Sequence, residues 1–133
     1  MPYLGNISLL VDDYDRAIRF FVDKMDFLLL EDSPLEADKR WVVVAPKGKG
    51  NCSLLLARAI GNDQRKLVGK QGGGRVFLFL YTEDFYRDYS RMKANGIVFM
   101  EEPRREAYGT VAVFLDLYGN KWDLIEINAG EET

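Results

Sequence analysis

Asp123 is the acidic residue whose position most suggests a chemical role, because it interrupts the apolar run KWDLIEI directly after the turn LYGN. The sequence contains no histidine, which excludes Ser-His-Asp and Cys-His catalysis and any histidine metal site. Acid-base chemistry would therefore depend on carboxylates, tyrosine, lysine or the single cysteine. That cysteine, Cys52, is predicted to be a buried structural thiol.

Other groups could also take part in chemistry, but each has a structural alternative. Glu101 and Glu102 are adjacent, and neighbouring residues of a strand point to opposite faces, so we predict a solvated charged run. Tyr108 lies in a loop, where it could either cover a ligand or order a hairpin. Arg104 and Arg105 are predicted to be surface residues.

Length and composition are typical of one soluble globular domain. The 133 residues are 47% hydrophobic and 29% charged, enough to bury on the order of two thirds of the unfolded surface. The net charge of −3 and the scattered Lys and Arg argue against nucleic acid as the main partner. No apolar run could span a bilayer, and the first residues lack the order of a signal peptide. We therefore predict a cytoplasmic protein without a membrane partner.

The elements that carry the candidate residues occur twice along the chain, each time in the order βαβββ. The first copy has a helix capped by Asp12 or Asp13 and strands at 6–11, 27–32, 40–45 and 52–58. The second copy has a helix capped by Thr82 and strands at 74–81, 97–102, 110–116 and 121–127.

An offset of about 70 residues superposes the two copies, so that Asn6 matches Arg75 and Ser53 matches Asp123. The stretch LVGKQGGGR between them is predicted to be a flexible joint, and it lacks the GK[ST] ending of a phosphate loop. We predict a single domain, with modules at about 3–60 and 74–128 and the joint at about 67–74.

The sequence resembles the vicinal oxygen chelate (VOC) superfamily, which includes glyoxalase I, bleomycin-resistance and fosfomycin-resistance proteins and extradiol dioxygenases. The resemblance covers Tyr3 to about Asn128 and rests on the doubled βαβββ order and on NISLLVDDYDRAIRFFVDKMDF, MKANGIVFMEEP and AVFLDLYGNKWDLIE. It implies an α+β fold in which each module forms a curled mixed sheet and two modules enclose a cavity. It also implies a homodimer, and it leaves open whether that cavity forms within one chain or across two.

In the metal-dependent members, four ligands come from the first and last strands of the modules, at positions that match Asn6, Ser53, Arg75 and Asp123. Only Asp123 is a good metal ligand, and Arg75 would place a positive charge where the cation lies. We therefore predict no metal site and no cofactor such as Ni, Zn, Mn or Fe. Asp123 would instead form a bidentate ion pair with Arg75, unless it lies on an exposed edge.

Strand alternation extends the site that the resemblance implies, because every second residue of a strand shares a face. The predicted ligand-binding residues are Asn6, Ser8, Ser53, Leu55, Arg75, Phe77, Phe79, Tyr108, Asp123 and Ile125. The residues predicted to pack under the helices are Ile7, Leu9, Val11, Val76, Leu78 and Leu80. A mostly apolar site with a few polar groups suits an aromatic or amphipathic small molecule.

Three functions remain open. We favour a metal-free protein that binds or sequesters a small molecule, similar to bleomycin-resistance proteins, because such binding needs no catalytic group. A metal-dependent lyase or dioxygenase of the glyoxalase I or extradiol type is an alternative, against which the missing ligands count. A metal-independent enzyme or a ligand-sensing regulatory domain is another. No catalytic residue is predicted.

Overall fold

The protein forms two compact units, Met1–Gln71 (unit 1) and the chain from Gly72 onward (unit 2). A computed structural model describes residues 1–128. Each unit contains one mixed sheet and a helix between its first two strands. This arrangement confirms the predicted α+β fold class.

Unit 1 is a four-stranded sheet in the order β1-β4-β3-β2, with β1 parallel to β4 and the other pairs antiparallel. Asp13 caps α1 as predicted, since its carboxylate accepts a hydrogen bond of 2.8 Å from the Arg16 N–H. The elements are β1 (Asn6–Val11), α1 (Tyr14–Arg19), a π-helical turn (Phe20–Lys24), β2 (Leu28–Pro34), β3 (Arg40–Ala45), β4 (Ser53–Arg58) and α2 (Gly61–Leu67).

Helix α2 was not predicted, and the reason lies in its sequence. The sequence GNDQRKL shows no apolar stripe of helical period, and accordingly none of its residues is buried. By contrast, α1 packs against β3 and β4 and buries Ala17 completely and Tyr14 almost completely. Only helices that contribute to a core can be recognised from apolar spacing.

Unit 2 repeats the arrangement in the order β5-β9-β8-β6, with β5 parallel to β9 and with β7 also paired to β8. Its helix begins at Phe85 with Asp84 as the N-cap, so the prediction of Thr82 as the cap was wrong. The Thr82 hydroxyl instead accepts a hydrogen bond of 3.0 Å from the Asp84 N–H. The elements are β5 (Val76–Tyr81), α3 (Phe85–Ala94), β6 (Val98–Phe99), β7 (Arg104–Glu106), β8 (Gly109–Leu115) and β9 (Lys121–Ile127).

The glycine-rich joint is attached to unit 1 through Gln71. Its side-chain oxygen accepts a hydrogen bond of 2.7 Å from the Leu10 N–H, and its nitrogen donates one of 3.2 Å to the Ser8 carbonyl. The amide therefore occupies part of the outer edge of β1, which would otherwise offer unpaired backbone groups. No helix within residues 1–128 is long and apolar enough to cross a membrane.

Candidate functional site

The face of each sheet that is turned away from its helix, termed the open face, carries most of the predicted site residues. In unit 1, Asn6 lies beside Ser53, and Ser8 lies beside Leu55 on the neighbouring strand. Asn6 and Ser8 are exposed, whereas Ser53 and Leu55 are half-buried. These four residues share one face, as predicted, and offer only neutral oxygens and an apolar surface.

Asp123 lies on the open face of unit 2, near the middle of β9. Its Cα partners on the adjacent strands are Phe79 of β5 and Val113 of β8. Ile125, which is buried, follows on the same face and has Tyr81 as its partner on β5. Phe79 and Tyr81 are 56% and 58% exposed, so two aromatic rings border the Asp123 carboxylate and are free to contact a ligand.

The Asp123 carboxylate has an unmet capacity to accept hydrogen bonds. Its Oδ1 atom is shielded from solvent and has no hydrogen-bond partner among the described residues. Burial raises the pKa of Asp123 above its ordinary value, Arg104 opposes the rise, and Glu101 adds to it. A shielded acceptor without a donor is uncommon in proteins and costs about 1–3 kcal/mol. Asp123 is therefore the group of this face best suited to accept a hydrogen bond from a ligand.

The ion pair predicted between Arg75 and Asp123 does not form in the part of the chain that the structure describes. Arg75 is exposed in the bend before β5. A bulge at Phe77 makes Val76 the partner of Lys121. A slip of one residue moves side chains to the other face, so Val76 joins the open face. Asp123 is paired with Phe79, four residues beyond Arg75, so Arg75 does not lie beside it. The predicted face of Val76 was wrong because it assumed an uninterrupted strand, and the predicted pairing of Arg75 was wrong because it assumed another register between β5 and β9.

A charged cluster that was not predicted borders the same open face. The two carboxylate oxygens of Glu101 each accept a hydrogen bond of 3.0 Å from Nε of Arg104, and Oε2 also accepts one of 3.0 Å from the Val113 N–H. Arg104 has Val111 as its Cα partner, which places it on the face of Asp123. Arg104 lies at the surface, as predicted, but Glu101 is bound and not freely solvated.

Tyr108 takes part in ordering the hairpin, one of the two roles that the sequence left open. The residue is 42% exposed, and its backbone carbonyl accepts a hydrogen bond of 2.9 Å from the Asn128 N–H. The next residue, Gly109, passes so close to β9 that an added Cβ would lie 1.9 Å from the Glu126 carbonyl oxygen. The start of β8 is thus tightly fixed, and the Tyr108 ring remains available beside it.

The residues on these faces do not fit a divalent metal. Divalent ions in proteins are held by several carboxylate, thiolate or imidazole ligands. The described residues contain no group of three or more His, Cys, Asp or Glu that could hold such an ion. Asp123 has Phe79 and Val113 as its neighbours across the sheet, and neither side chain can bind a metal. No step of metal chemistry follows from this arrangement.

A family model for the Glyoxalase/Bleomycin resistance protein/Dioxygenase superfamily matches residues 3–124. The chain belongs to this superfamily, and the predicted resemblance is confirmed. An uncharacterized protein of Shewanella frigidimarina (strain NCIMB 400) is 57% identical over 124 residues, which make up 92% of each chain.

Two solved structures are also similar over nearly their whole length. UcmS2 is 27% identical with a TM-score of 0.81, and the match covers 94% of this chain and 98% of that one. TnmS3, an antibiotic binding protein from Streptomyces sp. CB03234, is 29% identical with a TM-score of 0.77, and the match covers 96% and 98% of the two chains.

Proposed function

We propose that this protein binds an aromatic small molecule on the open face of unit 2 and sequesters it without chemical change. The observation that carries the proposal is the shielded Oδ1 atom of Asp123, which lacks a hydrogen-bond partner among the described residues and lies beside the exposed rings of Phe79 and Tyr81. A site for a small molecule combines apolar area with a few polar groups that fix orientation. The similarity to TnmS3, an antibiotic binding protein, supports the same function.

We propose binding in preference to catalysis because the described side chains do not supply the machinery of the alternative reactions. A metal-dependent lyase or dioxygenase needs a metal that polarises the substrate, and the donor set around Asp123 does not fit one. An acid-base enzyme needs at least one further group within hydrogen-bond reach of the substrate. Glu101, the carboxylate whose charge acts on Asp123, is already bonded to Arg104 and to the Val113 N–H. We therefore propose a metal-free protein.

We also propose that the protein is a homodimer. Strand β2 is the last strand of the unit 1 sheet, and its consecutive residues Leu28, Leu29 and Leu30 are 43%, 41% and 54% exposed. An apolar edge strand of this kind favours association with another chain. Sedimentation equilibrium tests this part of the proposal, and a mass equal to one chain would contradict it. A cytoplasmic location remains a prediction from the sequence.

The binding function can be tested by calorimetric titration of the chelator-treated protein with a panel of polycyclic aromatic antibiotics. We expect at least one compound to bind with a defined stoichiometry and to be recovered chemically unchanged. Asp123→Ala should weaken that binding about tenfold, because it removes a charge-assisted hydrogen bond. Ser53→Ala, at the position that the sequence offset of about 70 residues matches to Asp123, is the control and should have a smaller effect.

Titration with nickel, zinc, manganese and ferrous ions completes the test. We expect no stoichiometric binding of any of these ions. Tight binding of one ion that Asp123→Ala abolishes would contradict the metal-free proposal. Conversion of a bound compound into a product would contradict sequestration and favour an enzyme.

A further inference from the structure

We propose that Glu101 is a positioning residue that holds Arg104 away from Asp123, so that the site selects a ligand with a positively charged group. This inference rests on the proposed binding function for its ligand. Its central contact, between Glu101 and Arg104, can be tested without any ligand.

Arg104 is close enough to reach Asp123 if nothing restrains it. Arg104 lies beside Val111, and Asp123 lies beside Val113, the next residue of β8 on the same face. The two charged residues are therefore separated by two strand spacings, roughly 10 Å, and by one same-face step of about 7 Å along the strand. The long side chain of Arg104 can cover most of this separation, and the shorter side chain of Asp123 covers the rest.

The observed hydrogen bonds direct Arg104 elsewhere. Its Nε lies 3.0 Å from each carboxylate oxygen of Glu101, and its Nη1 lies 3.7 Å from Oε1 of Glu106. Glu101 is itself fixed by the hydrogen bond of 3.0 Å that its Oε2 accepts from the Val113 N–H. With the guanidinium held on this side of β8, Oδ1 of Asp123 is left without a donor among the described residues.

The charges around Asp123 favour a cationic ligand. The guanidinium of Arg104 contacts the carboxylates of Glu101 and Glu106, and it acts on Asp123 only through the electrostatic effect of its charge. Lys121 shares the face of Asp123, but its ammonium group donates to the Gly74 carbonyl at 3.1 Å. Within residues 1–128, the negative charge of Asp123 is thus not neutralised by an ion pair, and a protonated amine could form the charge-assisted hydrogen bond that the protein does not make.

The aromatic residues of the face narrow the ligand class further. Phe79 and Tyr81 expose more than half of their surface, and both lie on β5, directly beside β9. Aromatic rings attract cations as well as flat apolar groups. An aromatic ring system that carries an amine or amidinium group would therefore use both the rings and Asp123.

The first experiment needs no ligand and follows the Nε–H resonance of Arg104 by nuclear magnetic resonance. When Glu101 is retained, Asp123→Asn should leave this resonance and its hydrogen-exchange rate nearly unchanged. In Glu101→Gln, we expect Arg104 to move to Asp123, so that adding Asp123→Asn shifts the resonance and speeds exchange. Equal effects of Asp123→Asn in both backgrounds would overturn the proposed role of Glu101. Glutamine can still accept the bond from the Val113 N–H, so the variant tests the charge and keeps the backbone contact.

The second experiment compares naphthylmethylammonium with naphthylmethanol, two probes of nearly equal shape. The wild-type protein should prefer the cation by about tenfold. Glu101→Gln should lose that preference, and Glu101→Gln combined with Arg104→Gln should regain it. A rescue of this kind would not follow from a merely structural role of Glu101.

The outcomes separate this inference from the proposed function. Equal binding of both probes to the wild-type protein and all variants would overturn the selection of a cation and leave the binding function in place. If neither probe bound the wild-type protein while a polycyclic antibiotic did, selection of an aromatic cation would again be overturned. If no compound bound, the proposed function would fail, and the resonance of Arg104 would still decide whether Glu101 restrains it.

Discussion

The two units share one order of strands but differ in the turn that joins their last two strands. In unit 1 this turn is exposed, and Asn51 donates bonds of 3.2 and 3.3 Å to the carbonyls of Pro46 and Lys47. In unit 2 the turn is built around Asp116, which is only 6% exposed. Its carboxylate accepts bonds from the backbone N–H groups of Tyr118 and Asn120, the Asn120 amide and the Trp122 indole, at distances of 2.9 to 3.0 Å.

The two units also differ in the charge of their open faces. In unit 1, the paired positions Asn6 and Ser53 carry neutral side chains. In unit 2, the residue after Trp122 is Asp123, the shielded carboxylate of the candidate site. The buried turn thus fixes β9 close to the shielded carboxylate of Asp123. The repeat duplicates the sheet, whereas the charged site and its rigid support occur together in unit 2.

The largest effect should come from removing the carboxylate of the buried turn. Asp116→Ala leaves three buried donors and one part-buried donor without this acceptor, and we expect the free energy of unfolding to fall by about 3 kcal/mol. The matched change in unit 1, Asn51→Ala, removes only exposed bonds and should cost less than about 0.5 kcal/mol. Urea unfolding followed by circular dichroism measures both. Similar losses in the two variants would show that the turns do not differ in rigidity.

A smaller change in the free energy of unfolding should distinguish the N-terminal caps of α1 and α3. The Asp13 carboxylate caps α1 through the Arg16 N–H, and Asp13→Ala should cost about 1 kcal/mol. The start of α3 is held twice, because Asp84 accepts from the Arg87 N–H at 3.2 Å and Glu126 of β9 accepts from the Phe85 N–H at 2.7 Å. Asp84→Ala should therefore cost less than Asp13→Ala in the same unfolding experiment. A larger loss from Asp84→Ala would mean that Glu126 does not support the helix.

The fold could be predicted from the sequence wherever local pattern and burial agree. The strands at 6–11, 40–45 and 121–127 have the predicted bounds, because their apolar residues form clear runs between turn signals. The bulge at Phe77 could not be predicted, because it depends on how β5 pairs with β9. A bulge leaves the apolar composition of a strand unchanged and reverses only the assignment of faces.

The candidate site was predictable in part for the same reason. Asp123 was singled out because a carboxylate inside an apolar strand is unusual, and the structure places it on the open face. The contacts of Glu101 were missed because the predicted strand 97–102 ends early, at Phe99. Glu101 then turns toward Arg104 and the Val113 N–H. Only the three-residue spacing of Glu101 and Arg104 hinted at this contact.

The smallest predicted effect is the pH-dependent contribution that one carboxylate from each unit makes to the free energy of unfolding. Hydrogen bonds from Arg40, of 3.1 and 2.7 Å, lower the pKa of Asp32 in unit 1. Burial raises the pKa of Asp123 in unit 2. Ionised Asp32 therefore stabilises the fold above its unfolded pKa, and this contribution is lost as the pH falls through its lower folded pKa. Ionised Asp123 destabilises the fold above its raised folded pKa, and this penalty disappears as the pH falls below its unfolded pKa.

Asparagine at each position should change stability in opposite directions. At neutral pH, Asp32→Asn should lower the free energy of unfolding by about 0.5 kcal/mol, as expected for an ion pair near the surface, and Asp123→Asn should raise it slightly. Both effects should fade in acid, where the wild-type carboxylates become protonated. Urea unfolding of both variants at neutral and acidic pH measures the two signs. A loss of stability from Asp123→Asn at neutral pH would mean that the ionised carboxylate already has a favourable partner, and the acceptor on which the proposed site rests would then be occupied.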